Sequence, residues 1–214
     1  MYGNHPIEEY FHQQITTYLK DKDFIFVPAF QQYRHLTSIG FQCVIFSFSH
    51  YPDASILEVH LGIRADEVEQ LAFSFTNGLP GFRSDSLTLV TPIAKLLEKS
   101  FERFEIKDEA SCSEAIQEIQ KQLDQYGWTF LNQHSRLEGL NKLFNESPNQ
   151  ALPLIHNQIN RCIRGITLAK LTHADRFKEL GITYRNALQS STVLSIHQQK
   201  YERLYQFLLS YSMN

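Results

Sequence analysis

The chain is poor in the features that reveal a chemistry quickly. It has three cysteines in 214 residues (Cys43, Cys112 and Cys162), widely spaced, odd in number and without a CxxC pair. A disulfide framework is therefore not expected, and the thiols read as small apolar packing groups. No apolar run approaches the roughly 20 residues that a membrane-spanning helix needs. The opening Met-Tyr-Gly-Asn-His-Pro lacks the basic start and apolar stretch of a signal peptide. A cytoplasmic protein that makes no membrane contact is the expectation. Nine histidines occur, but none in an HxxxH, HxH or HExxH spacing, so no metal and no other cofactor is expected. The patterns GxGxxG, GxSxG and GK[ST] are missing too, and with them the usual signatures of dinucleotide sites, nucleophile elbows and P-loops.

What is present belongs to a folded domain. The chain is 43% apolar and 13% aromatic, with 16 Phe and 10 Tyr, well above disordered composition. Its net charge of −3 is unevenly spread. Residues 1–160 hold 12 Lys/Arg against 20 Asp/Glu, a net of −8, and residues 161–214 hold 8 against 3, a net of +5. A basic helical end can meet nucleic acid or an acidic protein. It can equally complement the acidic remainder of its own chain or of a second copy. A pI near 6.3 favours the latter over nucleic acid.

The stretch 41–64, FQCVIFSFSHYPDASILEVHLGIR, specifies a β-hairpin and its register. Val44, Phe46 and Phe48 are apolar at even positions; Leu57, Val59, Leu61 and Ile63 are apolar at odd ones. Both sets reach one face only if paired residue numbers sum to an odd value. Pairing 51 with 54 does this, with Pro52-Asp53 in the turn and Phe46 opposite Val59. The dry face needs a cover, and amphipathic stretches lie on both sides in sequence.

Before the hairpin, residues 6–20 read as a helix with Ile7, Tyr10, Phe11, Ile15, Tyr18 and Leu19 on its stripe, and 24–27 and 30–36 as strands. After it, Asp66 with Glu69 opens a helix that Asn77-Gly78 stops. Residues 86–90 read as a strand, and Thr91-Pro92 as the start of a helix carrying Ile93, Leu96, Leu97, Phe101 and Phe104. From Ser111 the pattern is helical to the end. Ser111/Glu114, Ser135/Glu138, Thr172/Asp175 and Ser195/Gln198 are capping-box-like starts. The expected fold is α+β: an antiparallel sheet with hairpin 41–64 at its centre, covered by helices and followed by a C-terminal helical bundle. Residues 1–110 form the sheet part and 111–214 the helical part, separate or packed as one unit with the first.

Three places could carry function. In this register Ser47 lies opposite Glu58 and Ile45 opposite His60, so Ser47, Glu58 and His60 share the polar face of the hairpin. A hydroxyl, a carboxylate and an imidazole on one surface can do nucleophilic or general-base work. The same alternation also describes the wet side of an antiparallel sheet. Loop 77–86, with two glycines, Arg83 and serines, has the ingredients of an anion nest and also those of an ordinary turn. Finally, Arg161 and Arg164 are one turn apart, with Lys170, His173 and Arg176 following. They can grip a carboxylate or phosphate, or pair internally. Tyr33, Tyr51, Tyr201 and Tyr205 add amphipathic aromatics of the kind favoured at interfaces, with core membership the default for each.

Gly40-Phe41 before an aromatic strand, ILEVHLGI (56–63) and RGITLAKLTHADRFKEL (164–180) resemble bacterial domain-of-unknown-function proteins. Some members of such groups are immunity or partner-binding proteins, so the resemblance implies a bacterial adaptor and carries over no catalytic residue. The expected function is non-enzymatic binding of another protein, or self-association, through Arg161, Arg164, Lys170, His173, Arg176, Tyr201 and Tyr205 and the free face or edge of the sheet. The alternatives are a small-molecule-binding or hydrolase-like protein using Ser47, Glu58 and His60, and nucleic-acid binding through the basic helices.

Overall fold

A computed structural model of the chain describes residues 5–76, 81, 83–190 and 195–212. The protein is α+β, with a six-stranded antiparallel sheet and helices that dominate the C-terminal half. Helix α1 (Pro6–Lys20) has Pro6 in its first turn, acidic Glu8 and Glu9 after it and Lys20 at its end, an order that suits the helix dipole. Phe11, Ile15 and Leu19, spaced four apart, are its buried residues.

Strand β1 (Ile25–Val27) pairs with β2 (Gln32–Thr37), Ile25 opposite Arg34 and Phe26 opposite Tyr33. The strand expected at 30–36 starts later, because Pro28–Phe30 closes a 3₁₀ turn, where Pro cannot donate to a ladder. The hairpin is formed by β3 (Gly40–His50) and β4 (Ser55–Ala65). Tyr51 N donates to Ala54 O at one end and Asp66 N to Ile39 O at the other. Both pairs sum to 105, so no bulge interrupts the expected register between them. Gly40 sits at φ 148°, and a Cβ there would collide with the Arg64 carbonyl, so only glycine fits this strand start.

Helix α2 (Asp66–Ala72) follows, then β5 (Leu89–Pro92), the short α3 (Ile93–Leu96) and β6 (Phe104–Ile106). The long helix expected from Thr91 does not form. Thr91 and Pro92 are strand residues, and Phe104 joins the sheet opposite Leu57. The outer edge of β4 needs a partner from Ser55 to Leu57, and this pairing overrides the helical spacing of the phenylalanines. Among the expected caps, Ser111 is the third helical residue rather than the cap. Asp108 caps α4 (Glu109–Gln122), accepting from Ser111 N at 2.8 Å while Ser111 Oγ accepts from Asp108 N at 3.1 Å. A π turn, Leu123–Gly127, joins α4 to α5 (Trp128–Gln133). Helices α6 (Leu137–Asn145), α7 (Gln158–Leu171), α8 (Phe177–Ser190) and α9 (Ser195–Ser210) complete the chain. Neither α6, capped by Arg136 without a side-chain bond, nor α8 uses the cap expected for it. The stop expected at Asn77-Gly78 lies outside the described residues.

The chain divides into two compact units. The first comprises residues 1–37, 41–63 and 90–132; the second comprises 38–40, 64–89 and 133–214. In the first, α1 packs beside α4 and lays Phe11 on Phe46 and Phe48, with ring centroids 4.8 and 5.3 Å apart. In the second, α7 is central. Ile163, Ile166 and Ala169 pack with Leu180 and Tyr184 of α8 and with Tyr201, Leu204 and Leu208 of α9. No helix among the described residues is long and apolar enough to cross a membrane. The three cysteines are free and buried. Burial pushes Cys43 and Cys162 up to about 12 and Cys112 up to about 11, so none is a ready nucleophile.

Candidate functional site

Every residue of α7 from Arg161 to Ala169 is buried, so its two arginines must find partners inside the second unit. Arg161 reaches back over the end of α6. Its Nε and Nη2 donate to Phe144 O at 3.2 and 2.9 Å, Nη2 to Ser147 O at 2.9 Å, and Nη1 to Gln150 O. Arg164 does hold a carboxylate in a two-pronged grip, but an internal one. Its Nε donates to Glu69 Oε1 at 2.7 Å and its Nη2 to Oε2 at 3.0 Å. Thr88 Oγ1 adds a third bond to Glu69 at 3.0 Å. Burial alone would raise the Glu69 pKa, but the Arg164 bonds and charge, with Ser86 and Thr88, hold it below the usual carboxylate range.

Tyr201 and Tyr205 are buried as well. Tyr201 OH donates to Gly181 O at 3.1 Å, and Tyr205 lies so close to Gly181 that a Cβ there would collide with its ring. Lys170, His173 and Arg176 remain around the α7–α8 turn. Lys170 Nζ sits 5.5 Å from the Phe177 ring, and Arg176 pairs with Glu179 at 2.8 Å. Two open hollows of about 250 and 440 Å³ flank the turn, and Asp175 lines both. Glu146 lines the larger. Their charge is mixed, and of the +5 of residues 161–214, which already counts Glu179 and Glu202, one further charge is answered internally by Glu69.

His173 occupies φ 50°, just past the end of α7. Its N–H bonds to Lys170 O at 3.2 Å, and Ala174 N bonds to Ala169 O at 2.9 Å. This helix ending suits glycine, and a left-handed residue with a Cβ costs about 1–2 kcal/mol. His173→Gly is therefore expected to raise stability by about 1 kcal/mol, read as a higher urea midpoint with an unchanged slope.

The polar hairpin face lies in the first unit. Ser47 is exposed; Glu58 and His60 are half-buried. Glu58 Oε1 accepts from Arg103 Nε at 2.8 Å. Burial lowers the His60 pKa, with Glu58 opposing. Neither Ser47 nor His60 makes a side-chain hydrogen bond among the described residues, so no nucleophile–base pair is assembled there. The face also carries apolar residues. Ile25 opposite Arg34, with Leu36 two further on, puts both on the side where Arg34 stacks on Phe41, 4.1 Å from its centroid. Leu36 is 81% exposed and Ile25 66%, and Ile45 and Ile56 are half-buried.

Loop 77–86 is only partly described, with residues 77–80 and 82 outside. Arg64 Nη1 donates to Arg83 O and Ser86 O at 3.0 and 2.7 Å, tying its second half to the chain itself.

A cluster that the sequence reading did not assemble joins α1 to the hairpin tip. His50 Nδ1 lies 2.8 Å from Ser55 Oγ, and His50 Nε2 lies 3.2 Å from Glu8 Oε2. Glu8 Oε1 is 3.9 Å from His12 Nε2, and His12 Nδ1 is 3.0 Å from Tyr33 OH. The 105 register already set His50 opposite Ser55, and Glu8 and His12 are one helical turn apart; the link between the two pairs was not legible. Ser55, His50 and Glu8 are connected in the order of a nucleophile, a base and an acid. Ser55 is only 2% exposed, however, so its hydroxyl is closed to a substrate. Burial lowers the His12 pKa, with Glu8 opposing. Among the described residues no group of three His, Cys, Asp or Glu is placed to hold a metal ion. No protein-family model, curated protein or solved structure matches the chain.

Proposed function

We propose that the chain is a non-enzymatic binding protein that docks another protein against the open face of its sheet. The observation that carries this reading is the pair Ile25, in the short edge strand β1, and Leu36, in β2, both exposed on one face of the sheet. Large aliphatic side chains clustered in water mark contact surfaces more often than isolated ones do. The surrounding residues suit a contact with a polar rim: Ile45 and Ile56 are half-buried, and Ser47 and the Glu58–Arg103 pair lie on or beside the face. β1 has three residues, so it offers little edge for uncontrolled strand addition.

The test is purification at low salt from the source cells, with intact-mass analysis of the eluate, for wild type and for Ile25→Lys/Leu36→Glu. The expected result is one polypeptide at fixed stoichiometry with wild type, a different protein or a second copy, and its loss from the variant at unchanged thermal stability. A variant that keeps the partner, or a wild type that elutes alone as a monomer, would overturn the reading. A 260 nm excess removed by high salt would assign nucleic acid instead.

A further inference from the structure

We propose that the outer edge of β3 at Phe48 and His50 is a strand-addition site, which takes an extended basic segment of another protein as a seventh strand. The hairpin register decides which main-chain groups are free. Tyr51 N donates to Ala54 O and Asp66 N to Ile39 O, so odd-numbered residues of β3 turn their N–H and C=O groups towards β4. Successive residues alternate in this respect, and the even-numbered ones turn theirs away from β4, towards β2. Among the described residues β2 and β4 are the two neighbours of β3, and β2 is the shorter. It ends at Thr37, with Ser38 and Ile39 between it and Gly40. This two-residue turn sets Thr37 opposite Gly40, and Gln32, the first residue of β2, opposite Ile45. The Tyr33 and Phe46 rings, 5.8 Å apart, fit that register. β3 therefore runs on past the start of β2, and among the described residues no strand faces the outward N–H and C=O groups of Phe48 and His50.

This edge also lacks the guards of the others. β1 is followed by Pro28, β5 ends in Pro92 and β6 carries Glu105. Residues 46–50 read Phe-Ser-Phe-Ser-His, without Pro, Lys or Glu, the residues that usually keep a strand edge unpaired. Phe48 and His50 together present two donors and two acceptors in the order that an extended backbone matches. Phe48 is half-buried with its ring against Phe11, so apolar surface remains for alternate side chains of an added strand. Ser47 and Ser49 are exposed on the other face and leave it clear. The charge around the edge sets the kind of segment. Residues 5–19 and 35–63 contain no Lys or Arg. Glu8 touches His50, Glu9 follows it exposed, and Asp53 is exposed in the hairpin turn. A segment with Lys or Arg beside its apolar residues complements these carboxylates.

The experiment is amide hydrogen exchange by NMR on the full chain, corrected for intrinsic rates. The probe is a synthetic peptide of alternating threonine and valine with a lysine at each end. In the free protein Phe48 and His50 are expected to exchange at least a hundredfold faster than Ser47 and Ser49, which β4 holds. Millimolar peptide is expected to slow Phe48 and His50 at least twofold. A fully N-methylated copy, which cannot pair as a strand, should leave them unchanged, and a copy with glutamate ends should bind at least threefold more weakly. Phe48 and His50 protected like Ser47 and Ser49 in the free protein, no slowing by the peptide, or equal effects of either control would overturn the proposal. Protection that rises with protein concentration alone would overturn it too, by assigning the edge to a second copy. Ile25→Lys/Leu36→Glu is expected to take the peptide as wild type does, so the edge and the open-face contact fail separately.

Discussion

Glu69→Ala is expected to destabilise the protein by about 3–5 kcal/mol, the usual cost of stranding one half of a buried ion pair. Glu69 is fully buried, and Arg164 nearly so. Removing the carboxylate leaves the guanidinium with two unanswered donors and Thr88 with a lost acceptor. Against a typical total stability of about 5–15 kcal/mol, this is a large fraction. The double variant Glu69→Leu/Arg164→Met removes both charges at similar volume and is expected to recover most of the loss. Urea unfolding followed by far-UV circular dichroism measures both. A loss under about 1 kcal/mol in the single variant would mean that the pair is wet. The pH dependence has a definite sign. The folded pKa of Glu69 is depressed, so its contribution is present above the unfolded carboxyl value of about 4.3. It disappears as pH falls through the lower folded value. Wild type should therefore lose this part of its stability only in strong acid, and the double variant should not lose it at all.

Arg161→Met is expected to cost about 3 kcal/mol or more. The guanidinium donates to the carbonyls of Phe144, Ser147 and Gln150 where α6 ends; Phe144 O keeps its bond from Tyr184 OH, but the variant loses a set of charge-assisted bonds worth about 1.5–3 kcal/mol each. Arg161→Lys keeps the charge but not the fork, so it should recover less than half. An exposed, ligand-gripping arginine would behave differently, since surface substitutions usually stay within about 0.5 kcal/mol. The same urea series separates the two roles.

These arginines mark the limit of what the sequence makes legible. The hairpin register was readable because period-2 patterning in two strands leaves one parity for the pairing, and the two end bonds summing to 105 agree with it. Helix α1 was readable from Pro6 and its fourfold apolar spacing. Two cations one turn apart on α7 look like a surface grip, since nothing local indicates that the helix is buried on all sides. The partner of Arg164 is 95 residues away, and the partners of Arg161 are main-chain oxygens that carry no sequence signal. Tyr201 and Tyr205 were ambiguous for a related reason: a tyrosine packed against Gly181 and one left at a surface have the same helical spacing. Phe104 was misplaced because the unpaired start of β4, not the local period, decides its state. The acidic-to-basic division of the chain likewise reflects the order of segments in sequence, since the units that fold together interleave them.

Leu36 and Ile25 are the residues on which the functional reading stands, and site-directed photo-crosslinking tests them most directly. A photoreactive phenylalanine is placed singly at 25, 36, 182 and 196, all exposed aliphatic positions, and the protein is irradiated in its source cells. Docking on the open sheet face predicts a discrete higher-mass adduct from positions 25 and 36, and none from 182 or 196 on α8 and α9. Adducts from 182 or 196 with none from 25 or 36 would contradict it.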